Sequence, residues 1–319
     1  MKVLSLFDGI SCGMVALERV LRERERERIS YHAYEIDKYA IQVSEKNYPQ
    51  IVHHGDVFEG DYTQYKGFDL LIGGSPCVYW SAAKRNRETL PDGLGGRLFM
   101  EYVRALKESG CKYFLYENNY SIHQNIKDFI SEQLGVQPIM INSALVSAQQ
   151  RKRCYWTNIP NVTQPVDKGI LLKDILESGE PWNDKSYCLT ASYNGAVFWN
   201  TLQRKQRTMI AEPVRLGHIG KSKGQANRVY SIEGKSVCLQ AQAGGGGAKT
   251  GLYKIDLPDG DYTIRKLTPV EAERLQTLPD NYTEGISKAQ RYKCIGNGWT
   301  VDVIAHILKN IPFEELSKE

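Results

Sequence analysis

Apolar positions in the first seventy residues fall into two alternating rhythms. "KVLSLF" is a short apolar run, and "GISCGMVALERVLR" places Met14, Leu17, Val20 and Leu21 at helical spacing. "ISYHAYEID" then predicts a second strand, "KYAIQVSEKN" a helix, "IVHHGD" a third strand and "FDLLIGG" a fourth. Strands interleaved with helices in this order form parallel βαβ units, hence an α/β fold on a doubly wound, mostly parallel sheet. In such sheets ligands bind beyond the carboxyl ends of the strands. Further along, "RLFMEYVRALKESG" predicts a long helix and "CKYFLYENN" another strand, ending near Glu117 and Asn118. "PIMINSALVSAQQRKRCYWTNI" adds strand material around a tight basic cluster. "LRERERERIS" sets like charges four apart, so it reads as a solvated helix end or connection.

The rhythm changes after about Asn161. Up to about Tyr262 the chain is rich in Gly, Ser, Thr, Gln and Lys, and only "GILLKDILESG" keeps a helical period. "KSYCLTAS" from Lys185 and "KSVCLQAQ" from Lys235 repeat the pattern K-S-x-C-L-x-A. These features predict a small, irregular β-rich domain over 162–262, inserted between a first part, 1–161, and a return segment, 263–319. "AGGGGAKTG" lacks the residue order of a phosphate-binding P-loop and reads as a flexible or close-approach loop. Regular structure then resumes. "TPVEAERLQTLP" carries a Thr cap, a Pro at the first helical position and a Glu three residues after the Thr. "GNGWTVDVIAHILKNI" sets Val301, Ile304, Leu308 and Ile311 on one helical face.

Composition narrows the class. The chain of 319 residues is 41% hydrophobic, enough for a substantial core, and no apolar run approaches the ~18 residues of a membrane span. The N-terminal apolar run is short and leads straight into a strand, so no signal peptide is expected and the expected location is the cytoplasm, or the nucleus of a eukaryote. Seven scattered cysteines without a C-x-x-C pair argue against a disulfide framework and a structural zinc site, and no metal is expected. Net charge is +4 but uneven: residues 147–228 hold 13 Lys and Arg against 6 Asp and Glu, whereas the rest holds 28 against 31. A basic segment on a nearly neutral body points to a polyanion.

Candidate chemistry sits at the strand exits. In "LLIGGSPCVYWS" an apolar strand passes through two glycines and a proline to present Cys77, a placement suited to a nucleophile although a buried cysteine needs none of it. "SLFDGISCG" follows a strand and opens a helix, where amides could hold a nucleotide-like ligand. Glu35, near the end of the next strand, is placed like an acid that binds ribose hydroxyls, and Asp56 where an acceptor could meet an exocyclic amine, although each serves equally well as a loop-capping group. The G-x-G-x-x-G fingerprint is absent, so the adenosine of another cofactor fits as well as a nicotinamide dinucleotide.

The order of "SLFDGISCG", "GGSPC", "YENN", "QQRKR", "RKLTPVEAERLQ" and "IGNGWTVDVI" resembles the DNA (cytosine-5) methyltransferases that use S-adenosylmethionine. The match covers residues 2–158 and 265–311, with a target-recognition region between. The resemblance implies the S-adenosylmethionine-dependent methyltransferase fold and a catalytic set of Cys77 as nucleophile, Glu117 as the acid meeting N3 and the exocyclic amine, and Arg151 and Arg153 steadying the flipped base, the acid and the phosphate backbone. It places Ser75, Pro76, Asn118 and Gln149 at the substrate. It assigns Phe7, Asp8, Gly9, Ile10, Ser11, Glu35, Asp56, Val57, Asn297, Gly298 and Trp299 to the cofactor. Here the acid motif reads Glu-Asn-Asn where Glu-Asn-Val is commoner, a departure expected to bear on local packing. Trp299 with "SLFDGI" resembles the eukaryotic de novo branch, whereas the short chain resembles bacterial and phage enzymes. The implied partner is double-stranded DNA, with a cognate restriction nuclease left open. Lys185, Arg204, Lys205, Arg207, Lys221, Lys223 and Arg228 are the candidate DNA contacts, and residues 78–96 the natural lid. Alternatives are an RNA cytosine-5 methyltransferase, a catalytically silent DNA-binding homologue and, more distantly, a nicotinamide-dependent oxidoreductase.

Overall fold

The computed structural model describes residues 1–82, 86–213, 229–231, 252–257 and 260–316. The first half runs β1 (Lys2–Leu6), α1 (Cys12–Val20), α2 (Glu23–Arg26), β2 (Ser30–Tyr34), α3 (Lys38–Asn47), β3 (Val52–His53), β4 (Leu70–Gly73), α4 (Leu94–Ser109), β5 (Tyr113–Asn119), α5 (Gln124–Leu134), β6 (Ile139–Asn142) and β7 (Lys152–Thr157). Seven strands form one sheet in the order β3-β2-β1-β4-β5-β7-β6. Neighbours from β3 to β5 pair in parallel, and β7 runs antiparallel between β5 and β6. β4 is buried along its whole length and β1 along all but its first residue, which explains why both read as continuous apolar runs instead of alternating ones. The winding reverses between β1 and β4, where Leu6 pairs with Gly73, and this reversal opens a crevice beyond the strand ends.

Each face of the sheet is covered by helices. On one, Met14 and Leu17 of α1 share a core with Val301, Ile304 and Leu308 of α9 (Val301–Leu308). Those three α9 side chains are fully buried, at about 1.5–3 kcal/mol each, so the C-terminal segment packs into the same core as α1. On the other face, Phe99 and Tyr102 of α4 pack with Tyr116 and Trp156. α2 buries nothing, as its alternating charges require. The Thr268 hydroxyl accepts from the Glu271 amide and the Glu271 carboxylate accepts from the Thr268 amide, so a reciprocal cap starts α7 (Pro269–Leu275).

The middle of the chain carries α6 (Phe198–Leu202) and a second sheet of β8 (Met209–Pro213), β9 (Val229–Ser231), β10 (Leu252–Leu257) and β11 (Gly260–Lys266), ordered β8-β11-β10-β9. β11 crosses position 262, where the inserted domain was expected to end. "GILLKDILESG" does not become a helix: it holds one 3-10 turn over Leu172–Ile175. Gly169 and Gly179, both at positive φ, bracket the turn, while Leu172 and Ile175 alone supply its buried anchors. The second K-S-x-C-L-x-A segment, the "AGGGGAKTG" loop, Lys221, Lys223 and Arg228 lie outside the described residues.

At the β2–β3 edge, His32 and His54 stack with centroids 5.2 Å apart, and Nδ1 of one lies 2.9 Å from Nε2 of the other. That contact accommodates one proton, not two. Burial lowers the pKa of both rings, and for His54 the neighbouring His32 lowers it further. A depressed native pKa means the unfolded chain binds protons first, so this pair's stabilisation is present above the ordinary value of 6.5 and is lost as pH falls below it. Thermal unfolding of the wild type is expected to shift downward between pH 7 and pH 5, and His54→Gln to flatten that slope. An unchanged slope in the variant would remove the pair from the pH response.

Candidate active site

Five strand ends and one helix end build the crevice. At the end of β4 the chain approaches two neighbours too closely for a side chain. A Cβ at Gly73 would lie 2.7 Å from the Leu6 carbonyl, and one at Gly74 2.8 Å from the Glu117 carbonyl. Pro76 then opens a 3-10 turn, Cys77–Tyr79, closed by the fully buried Trp80. Trp80 N–H and Ser81 N–H donate to the Cys77 carbonyl at 3.1 and 2.8 Å, while the indole N–H of Trp80 reaches Glu88. The buried tryptophan thus locks the turn that presents the half-buried thiol.

Glu117 lies at the end of β5, directly opposite Tyr155 of β7 and diagonal to Arg153 on the same face. The period of two in "QQRKR" explains the rest: Arg151 and Arg153 turn inward while Lys152 is exposed. Nε of Arg153 stands 2.9 Å from one oxygen of Glu117, and the indole N–H of Trp299 donates to the other at 2.9 Å. Arg151 is buried and donates to the carbonyls of Leu189 (2.9 Å), Gly296 (3.3 Å) and Gly298 (2.9 Å). It joins the segment around Leu189 to α8 (Lys288–Asn297) and the loop that follows.

Burial raises the pKa of the Cys77 thiol. Arg153 opposes it most strongly, Glu117 adds to it, and Arg151 and a hydrogen bond from the Asn119 side chain oppose it. The free protein therefore holds Cys77 as a neutral thiol in the ordinary neutral range. Cys188 behaves in the opposite way: burial acts to raise it, but Arg151 and Arg153 bring it below the usual thiol value. Its sulfur lies 3.6 Å from Arg151 and 4.0 Å from Arg153.

The adjoining half of the crevice is lined by the loop after β1 and the end of β2. Phe7 and Gly9 adopt positive φ, and the Gly9 amide donates to Glu35 at 2.8 Å. The amides of Ile36 and Asp37 hold the other oxygen of Glu35, each at 2.8 Å. Burial raises the Glu35 carboxyl above its ordinary value against these three donors. Ile36 is 73% exposed and faces the same space. Lys293 pairs with Asp37 at 2.6 Å across the rim.

One cavity of about 600 Å³ joins both halves. Phe7, Asp8, Gly9, Ile10, Glu35, Ser75, Pro76, Cys77, Glu117, Arg151, Arg153, Asn297, Gly298 and Trp299 all line it. Within that set the Asp8 carboxylate is turned to structure, accepting from Ser5, Ser11 and Tyr31 hydroxyls. Five other expected residues do not line the cavity. Ser11 is fully buried between Asp8 and Ser44. Asp56 caps a 3-10 turn at the Phe58 amide, with Val57 buried beneath it. Asn118 is buried and bonds the Ser75 carbonyl. Gln149 is a buried strut between the Leu189 amide and the Leu275 carbonyl. Lys185, expected at DNA, instead donates inward to the carbonyls of Ala144, Ser147 and Ile170. Arg204 and Lys205 are exposed, and Arg207 binds the Gly195 carbonyl. Sequence reasoning missed Ile36, Cys188 and the contact of Asn119 with the thiol.

The family model for C-5 cytosine-specific DNA methylase matches residues 1–312. Among curated relatives, Type II methyltransferase M.HhaI of Haemophilus parahaemolyticus is 29% identical, the alignment covering 98% of this chain and 94% of the relative. Orphan methyltransferase M.SPRI of Bacillus phage SPR is 26% identical over 100% of this chain and 99% of its own. Two solved structures share the fold: Entamoeba histolytica methyltransferase EhMeth (TM-score 0.62, 16% identity, 99% and 98% of the two chains) and a Spodoptera frugiperda DNMT2 mutant (0.60, 16%, 97% and 98%).

Proposed function

The chain belongs to the C-5 cytosine-specific DNA methylase family, and from that premise we propose that it methylates C5 of a flipped-out cytosine in duplex DNA, with S-adenosylmethionine as donor and a transient bond between Cys77 and C6. The observation that carries this reading is the carboxylate of Glu117, held at both oxygens inside the cavity that Cys77 faces.

The chemistry follows from the ring. C5 of cytosine is a weak nucleophile until a thiolate adds at C6. Addition moves the electron pair of the C5–C6 double bond into an enamine-like system, and Glu117 engages N3 and the exocyclic amine where charge develops. Because Glu117 raises the Cys77 pKa and Arg153 lowers it, a base that occupies Glu117 makes the thiol easier to ionise. Arg153, paired to Glu117, keeps that carboxylate fixed as the base arrives. The donor, when bound, supplies a methyl group on a sulfonium centre. Afterwards the C5 proton leaves to solvent, the double bond re-forms and Cys77 departs as a thiolate. A target atom inside a duplex cannot be reached, so the base must leave the stack, as the handling of bases by methyltransferases generally requires.

The other half of the cavity fits such a donor. Glu35 offers two carboxylate oxygens, already oriented by backbone amides, to the ribose hydroxyls. The exposed Ile36 gives an apolar platform for an adenine ring, and Phe7 and Asn297 close the remaining walls. Exposed Arg204 and Lys205 are suited to phosphate contacts, and the reading carries a steep loss of binding with salt.

The test combines purified protein, labelled donor and several duplexes, followed by bisulfite sequencing. The expected result is 5-methylcytosine at one recurring short sequence. Label appearing in RNA but not in duplex DNA would overturn the choice of substrate, and label in neither would overturn the activity.

A further inference from the structure

The two halves of the cavity meet at one indole. Trp299 lines the space together with Gly9, Glu35 and Asn297, and its N–H ends on Glu117 at 2.9 Å. Its backbone cannot drift. The carbonyl of the preceding Gly298 accepts from Arg151 at 2.9 Å, and a Cβ on Gly298 would stand 3.2 Å from the Cys12 sulfur. Gly296 is pressed so closely on Thr190 and Ala191 that a Cβ would come within 2.3 Å of their backbone. The indole therefore projects from a fixed base.

A terminal carboxyl torsion is broad, so one donor leaves a carboxylate free to turn about its own axis. Arg153 meets Glu117 as an ion pair, its Nε 2.9 Å from one oxygen. Trp299 donates to the second oxygen from an element 182 residues away in sequence, and the ion pair and the hydrogen bond together fix the carboxylate plane. We infer that Trp299 is a positioning residue for Glu117, setting the plane in which the acid meets the cytosine edge while its ring forms a wall of the donor half. This inference rests on the methyl-transfer reading above. It separates two roles of one side chain: ring surface toward the donor, and a single N–H toward the acid.

Replacing Trp299 by 3-benzothienylalanine keeps the ring shape and exchanges the N–H for sulfur. At saturating donor, single-turnover methyl transfer is expected to fall roughly tenfold, the scale of one hydrogen bond to a charged group, with donor affinity within about twofold of wild type. Trp299→Phe, which folds without unnatural synthesis, is expected to reach the same saturated rate with weaker donor binding. In a Glu117→Ala background the benzothienyl replacement is expected to change the rate less than about twofold, because its partner is gone. A wild-type rate in the benzothienyl protein, or an equal tenfold loss without Glu117, overturns the inference alone. Absence of any methyl transfer by the unmodified protein takes down the reading and the inference together.

Discussion

Cys77→Ser is expected to lower single-turnover methyl transfer by at least ~10³-fold while donor and DNA binding stay close to wild type. Serine fits the same 3-10 turn, so Trp80 and the backbone bonds to residue 77 remain. What changes is the nucleophile. A hydroxyl in that half-buried site, where burial already raises a thiol, has no base within the described contacts strong enough to ionise it. Rapid-quench measurement with labelled donor separates the chemical step from binding. Retention of wild-type turnover would remove Cys77 from the chemistry.

The second large effect concerns Arg151, which is more a keystone than a surface charge. The residue is 3% exposed, and its guanidinium donates to the carbonyls of Leu189, Gly296 and Gly298. Arg151→Ala leaves these acceptors short of a donor in a buried site, at ~1–3 kcal/mol for each unsatisfied group. Some relax toward water, so a net loss of about 3–5 kcal/mol is expected, the scale for removing one member of a buried charged network. Urea denaturation followed by far-ultraviolet circular dichroism reads it as a lower midpoint. Arg151→Lys is expected to recover only part, because one ammonium cannot span carbonyls that a planar fork reaches together. Loss of activity with no change in stability would recast Arg151 as a group that acts on substrate alone.

The sequence carried the central sheet and the helix that covers it because both leave a readable apolar pattern. β1 and β4 are continuous apolar runs, and α9 repeats its buried positions with a helical period. Cys77 was visible because two glycines and a proline punctuate a strand end. The pairing of Arg153 with Glu117 needed the antiparallel register of β5 and β7, which motif order suggested only through resemblance. Polar residues were the harder part. Ser11, Asn118 and Gln149 sit beside functional positions, yet each spends its hydrogen-bonding capacity inside the protein. A one-dimensional reading cannot tell a polar side chain facing a ligand from one facing a carbonyl. Lys185 shows the same ambiguity, its charge absorbed by three backbone oxygens.

Two missed residues did leave a trace. Ile36 follows Glu35 directly and precedes the helix-capping Asp37, so an apolar side chain at a strand exit had no core to enter. Asn119 stands where the family pattern more often has valine, and that departure was read as packing. Its side chain also lines the cavity with Cys77 and opposes the rise of that thiol's pKa. The Trp299–Glu117 contact left no trace, because its two ends belong to segments that only the folded chain brings together.

Trapping measures the central claim most directly. A duplex carrying 5-fluorocytosine at the target position cannot lose its C5 substituent as a proton, so the thiol-bound species should accumulate once the methyl has been transferred. The account predicts a protein–DNA conjugate that survives denaturation, needs the donor, and maps by peptide mass to Cys77. A folded protein that binds both donor and fluorinated duplex, yet never yields that conjugate, would contradict it.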